Sequence, residues 1–68
     1  MTITVHVAGA PRVFNRDRLH TAYLLRLDHP DDASAVMGAL IDDFGIERQE
    51  ALRLTLGAAA CVNNGIEP

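Results

Sequence analysis

The sequence predicts an α+β fold in which a small antiparallel sheet of two or three strands is followed by two helices packed on one of its faces. Three observations support this. Residues 2–8 alternate between polar and apolar side chains, residues 18–27 repeat the alternation, and the rest of the chain carries apolar residues at helical spacing. The 68 residues are expected to form one domain, residues 1–68, with residues 63–68 as a short tail.

The first two strands are predicted to form a hairpin. The first covers about residues 2–8, and its odd-numbered, mostly β-branched residues would face the core. Gly9 and Pro11 end it, because proline cannot donate to a strand ladder and glycine relaxes a turn. A short strand at residues 12–14 would pair back before a second turn at residues 15–17.

The third strand is predicted at residues 18–27, RLHTAYLLRL, and would be the longest. Leu19, Tyr23 and Leu25 lie on one face of such a strand. Ala22 and Leu24 make the other face partly apolar as well, which indicates a central strand.

Two helices are predicted at about residues 31–44 and 47–62. Acidic residues at the start of each helix suit the orphan backbone N–H groups and the helix dipole. Gly45, between the two helices, suits a left-handed cap. Leu40 and Phe44 close the apolar stripe of the first helix and are predicted to be core residues.

The second helix carries two apolar stripes, and each needs a neighbour. The first stripe comprises Ala51, Leu54, Ala58 and Cys61, and the second comprises Leu52, Leu56, Ala59 and Val62. Two arrangements would cover both: the helix is wedged between the sheet and the first helix, or one face meets a second copy of the chain. The second arrangement predicts a homodimer through Leu54, Ala58 and Cys61, with Ala58 at the closest approach.

The helical half resembles a known family. Its apolar spacing, Phe44-Gly45-Ile46 turn and following Arg48-Gln49-Glu50-Ala51 run are similar to the helix-turn-helix core of the Clp protease adaptor ClpS. The C-terminal domain of the bacterial ribosomal stalk protein has a similar scaffold. The resemblance covers about residues 23–57, with Tyr23–Leu27 at the place of the family's leading strand. It implies a shared scaffold and a protein-binding role.

The adaptor's client-binding residues are largely replaced. Leu27-Asp28-His29 stands where the family has an Asn-Asp-Asp segment, and Ala59 falls near the place of a histidine. Only Asp28 has a counterpart, so the resemblance does not imply recognition of a client's amino end.

Charge and composition argue against a membrane-spanning or a secreted protein. The net charge is −3, but residues 1–27 hold four arginines against one aspartate, whereas residues 28–68 hold eight acids against two arginines. No apolar stretch approaches the roughly 20 residues that span a bilayer. The N-terminus does not resemble a signal peptide. A single cysteine, Cys61, predicts a reducing and hence cytoplasmic location.

No residue pattern indicates catalysis, a metal or a cofactor. His6, His20, His29 and Cys61 have the right chemistry for zinc but lack paired ligand spacing. The acidic cluster at residues 28–32 fits helix capping better than a calcium loop.

The sequence therefore favours a non-enzymatic protein-interaction module: an adaptor, a small inhibitor or an accessory subunit of a larger protein. Its predicted partner surface comprises Arg12, Phe14, Arg16, Arg18 and Asp28. The alternative is a small regulator that contacts nucleic acid through the Arg12–Arg18 hairpin, although the net negative charge opposes that interaction.

Overall fold

A computed structural model describes all 68 residues of the chain, Met1–Pro68. It contains a hairpin and three helices: β1 (Thr2–Val7), β2 (Ala10–Asn15), α1 (Arg16–Asp28), α2 (Ala33–Asp42) and α3 (Arg48–Asn63). The strands form a two-stranded antiparallel sheet. The α+β class is confirmed, but the chain has two strands and three helices.

The hairpin closes through a two-residue turn at Ala8 and Gly9, with Val7 paired to Ala10. Both turn residues have positive φ, 53° and 80°, as a type I′ turn requires. Pro11 lies opposite His6, the second pair from the turn. Because hydrogen-bonded and non-hydrogen-bonded pairs alternate, the missing N–H of Pro11 falls on the outer edge and costs no ladder bond.

Residues 18–27, predicted as a strand, are helical and belong to α1. Asn15, which the sequence suggested as a turn residue, is the N-cap: its side chain accepts the Arg18 N–H at 3.0 Å. The segment consists mainly of leucine, arginine and alanine, which favour helix. Helical spacing buries Leu19 and Ala22, which a strand would direct to opposite faces.

The other two helices agree with the prediction to within two residues at each end. Asp32 caps α2 by accepting the Ala35 N–H at 3.0 Å. Gly45 has a φ of 64°, as expected for a left-handed residue after a helix. The turn lets the Ile46 N–H donate to the Leu40 carbonyl at 3.0 Å.

Phe44 is not a core residue: it is 54% exposed, whereas Leu40 is fully buried. The reason is that α2 ends at Asp42, so Phe44 lies beyond the last helical turn and no longer follows its apolar stripe. Ile46 packs against the core instead.

One core unites all five elements, and α3 packs against α1, α2 and β1. Its buried members are Val5, Phe14, Leu19, Ala22, Val36, Leu40, Ala51, Leu54, Ala58 and Cys61. Leu54, Ala58 and Cys61, predicted at a homodimer interface, thus have no exposed area in the single chain. They pack within the domain because the first stripe of α3 faces α1 and the hairpin.

Gly57 explains the run of small residues in α3. A Cβ atom at this position would lie 2.8 Å from Cζ of Phe14 and 3.0 Å from Cδ1 of Leu19. Only glycine leaves room for the phenylalanine ring against the helix backbone. The helix-propensity cost of glycine, about 1 kcal/mol relative to alanine, is therefore offset by the burial of Phe14.

We predict that Gly57→Ala lowers the melting temperature, because the added methyl group overlaps the Phe14 ring. Overpacking of this kind lowers the free energy of unfolding by about 1–3 kcal/mol. The higher helix propensity of alanine restores about 1 kcal/mol of that loss. The matched control is Gly38→Ala in α2, where a Cβ meets nothing within 4 Å. The control should melt at or above the wild-type temperature. Equal stabilisation by both changes would contradict the close contact at Gly57.

We also predict unequal effects of truncation at the two ends of the α2 stripe. Leu40→Ala should reduce the free energy of unfolding by about 2–5 kcal/mol, because it leaves a cavity in the core. Phe44→Ala should change it by less than about 1 kcal/mol, because the ring is half-exposed. Urea denaturation of both variants measures the difference, and similar losses would contradict the orientation of Phe44.

Candidate functional site

The solvent-facing side of α3 is an apolar surface bordered by arginine. We define the α3 outer face as the stripe Arg48, Leu52, Leu56, Ala59 and Asn63, which follows helical spacing along α3. Leu52 and Leu56 are 48% and 50% exposed, although the opposite side of the helix is buried. The structure does place α3 between the sheet and α2, as the wedged arrangement predicted, because α3 packs against both β1 and α2. These contacts leave Leu52, Leu56 and Val62 of the second predicted stripe exposed.

A small pocket adjoins this face where the hairpin meets α3. It measures about 60 Å³ and is lined by Val7, Arg12, Phe14, Arg53 and Leu56. Leu56 thus belongs both to the α3 outer face and to the pocket wall. The two features form one continuous surface.

Arg53 fixes the wall of this pocket. Its guanidinium lies 5.2 Å from the centre of the Phe14 ring, a cation–π arrangement. Nη1 donates to Oε2 of Glu50 at 2.8 Å, and Nη2 donates to the Val13 carbonyl at 3.1 Å. The arginine therefore joins α3 to β2 and covers the outer side of the phenylalanine.

The arginines around the surface differ in their partners. The Arg53–Glu50 pair is the one salt bridge in the structure. Arg12 and Arg48 are exposed and form none. No aspartate or glutamate lies on the α3 outer face, so the surface has a local positive charge on a chain of net charge −3.

A larger open cleft lies on another side of the molecule, between the start of α1 and the α2–α3 loop. It has a volume of about 550 Å³, and its lining residues are Asp17, Arg18, Thr21, Phe44, Gly45, Ile46, Glu47 and Glu50. Most of these residues are polar. The one buried side-chain nitrogen or oxygen without a hydrogen-bond partner, Nε of Arg26, is not in its wall. Nothing in the cleft indicates a particular ligand.

The five residues of the predicted partner surface do not lie together. Arg12 and Phe14 both reach the small pocket, but Phe14 is only 3% exposed and cannot be presented to a partner. Arg18 lines the cleft instead. Arg16 and Asp28 occupy opposite ends of α1, about 18 Å apart along a helix of this length.

The other polar residues that the sequence offered as possible metal ligands do not form a site. No three His, Cys, Asp or Glu side chains are arranged to hold a metal ion. Asp32 is used as a helix cap. His20 lies 3.0 Å from the Pro68 oxygen through Nδ1, so the tail returns to α1.

Comparison of the chain with protein-family models, curated proteins and solved structures finds no match. The resemblance to the Clp protease adaptor therefore stays a prediction. Within it, the expected leading strand at Tyr23–Leu27 is part of α1. None of the three helices has the length and apolar character that a membrane crossing requires.

The second stripe of α3 was predicted from the sequence, but its exposure in the folded chain was not. The helical spacing identifies Leu52, Leu56 and Ala59 as one stripe. Arg48 precedes Leu52 by one turn, so the sequence also indicates a positive charge at the end of that stripe. The part played by Arg53 was not visible, because its contacts to Phe14 and Val13 span about 40 residues of sequence.

Cys61 is a buried free thiol. Removal from water disfavours the thiolate, so burial raises the pKa of Cys61 above its ordinary value. An inert thiol is the expected result.

We predict that native stability falls as the pH rises above about 8.5, the ordinary pKa of an exposed thiol. Because burial raises the pKa of the native thiol, the thiol of the unfolded chain ionises more readily at these pH values, and its ionisation stabilises the unfolded state more than the native state. The absence of lysine leaves few other groups that titrate in this range. Urea denaturation at pH 7 and about pH 9.5 should show a smaller loss of the free energy of unfolding for Cys61→Ala than for wild type. Equal losses would mean that the thiol ionises freely.

Proposed function

We propose that the chain is a non-enzymatic protein-interaction module that binds a larger protein through the α3 outer face and its adjoining pocket. The observation that carries this proposal is the half-exposed pair Leu52 and Leu56 on α3 beside the small pocket. Leu24 and Leu27 on α1 are equally exposed but adjoin neither cavity. Grouped apolar side chains on a surface are typical of interfaces. Such a module acts as an adaptor, a small inhibitor or an accessory subunit.

Other features agree with this proposal. The small pocket beside Leu56 offers a partner a place to insert one apolar side chain, and buried anchor side chains dominate the energy of most interfaces. We also propose a cytoplasmic location, because the free thiol of Cys61 suits a reducing compartment.

A homodimer is a second candidate for the same face. The observation that favours it is the distribution of side-chain sizes along α3. In an antiparallel pair, Leu52 of one copy would lie opposite the small residues Ala59 and Ala60 of the other. This arrangement replaces the predicted interface through the buried residues Leu54, Ala58 and Cys61.

The nucleic-acid alternative has less support. Its aromatic residue, Phe14, is covered by Arg53 and cannot stack on a base. Arg12 and Arg18 line different cavities, so the hairpin arginines do not form one patch.

Photo-cross-linking tests the proposal. A benzophenone amino acid at Leu56, in cells that express the chain, should give a defined cross-linked product containing a second, larger protein. The matched control is Leu24 on α1, with 48% exposure against 50% for Leu56. A product of twice the chain's own mass would instead identify the homodimer. Equal or absent cross-linking at both positions would contradict a binding role for the α3 outer face.

A further inference from the structure

We infer that the partner segment bound at the α3 outer face is an acidic amphipathic helix, with an apolar stripe flanked by aspartate or glutamate. The inference rests on the proposed function and names the chemistry of the partner. It follows from the charge around the exposed leucines, the shape of the surface and the composition of α3.

The charge around the leucines is positive and unpaired. Arg48 lies one turn before Leu52 on the same stripe, and Arg12 borders the pocket beside Leu56. Neither arginine forms a salt bridge, and Glu50, the nearby acid on α3, is already bonded to Arg53. Guanidinium groups that flank an apolar stripe are complementary to carboxylates at the rim of a partner.

The shape of the surface suits a helix. Leu52 and Leu56 form a ridge with the spacing of adjacent turns, and a partner helix places its own apolar residues at the same spacing. The pocket of about 60 Å³ has room for one small apolar side chain from that helix. Two helices pack in this way when the side chains of one fit between those of the other, and flanking charges then add selectivity.

A second copy of the chain satisfies these charges less well. Its α3 outer face has an arginine and no carboxylate, so self-pairing would leave Arg12 and Arg48 without acidic partners. An anionic lipid surface would attract the arginines but repel the rest of a chain whose net charge is −3. A protein helix that carries both acids and leucines meets both requirements.

A peptide selection tests the inference. A displayed library of 16-residue helices has leucine fixed at one stripe, while the flanking positions vary among glutamate, lysine and glutamine. Selection on the wild-type chain should enrich glutamate at the flanks. Selection on the double variant Arg12→Glu, Arg48→Glu should enrich lysine, because the variant presents carboxylates in place of guanidinium groups. Both changed residues are exposed, so we expect the variant to fold.

Fluorescence anisotropy of the best glutamate-rich peptide gives the quantitative result. We expect at least tenfold weaker binding to Leu56→Glu and to the double arginine variant, and weaker binding in 500 mM salt than in 50 mM salt. Leu24→Glu, on α1, is the control that should bind as wild type does. Circular dichroism of each variant verifies that it is folded.

The outcomes separate the inference from the proposed function. Enriched peptides that lose binding in Leu56→Glu but show no glutamate preference would overturn the acidic partner and leave the interaction surface intact. A wild-type dimer in sedimentation that Leu56→Glu dissociates would overturn it in favour of a second copy. Arginine-dependent binding to phosphatidylserine vesicles, without peptide enrichment, would overturn it in favour of a membrane. Failure of both enrichment and cross-linking at Leu56 would reject the interaction surface itself.

Discussion

The packing of Phe14 against Gly57 holds the two halves of the molecule together. A two-stranded hairpin is marginal by itself in water, so β1 and β2 depend on what they contact. The Phe14 ring occupies the space that the missing side chain of Gly57 leaves on α3, and Arg53 closes it from outside. Burial of one phenylalanine contributes about 1.5–3 kcal/mol, which exceeds the cost of a glycine in a helix. This contact, together with the packing of β1 on α3, positions the hairpin, and Phe14 also forms part of the pocket wall.

Local signals in the sequence predicted most of the fold. Alternation predicted β1, and acidic residues and Gly45 predicted the limits of α2 and α3. These elements are confirmed, although only Asp32 forms a side-chain cap bond, whereas Glu47 at the start of α3 forms none. The prediction of a strand at residues 18–27 was wrong. Apolar residues occupy so many positions of this segment that both the strand period of 2 and the helix period of 3.6 fit it. The helix is favoured by its leucine, arginine and alanine content, by the burial of Leu19 and Ala22 on one face, and by the N-cap bond from the Arg18 N–H to the Asn15 side chain. Asparagine is common both in turns and at helix N-caps, so the residue alone does not distinguish them.

The sequence identified several residues of the candidate site but grouped them differently from the structure. The hairpin arginines were grouped because they are close in sequence, but β2 ends at Asn15, and the start of α1 directs Arg18 into a different cavity from Arg12. The two stripes of α3 were both recognised. Which of them faces inward depends on Phe14 and Leu19, the residues that pack at Gly57, and not on the stripes themselves. Long-range packing of this kind has no signature in a single sequence.

The fold of the single chain does not account for the leucines of the α3 outer face. A surface helix next to one core needs a single apolar stripe, and Ala51, Leu54, Ala58 and Cys61 already provide it. Scattered exposed apolar residues are ordinary on any protein. Leu52 and Leu56, however, lie on one line, beside a pocket, and next to arginines that have no acidic partner within the chain. This arrangement is the basis for proposing a partner that supplies apolar surface and carboxylates together.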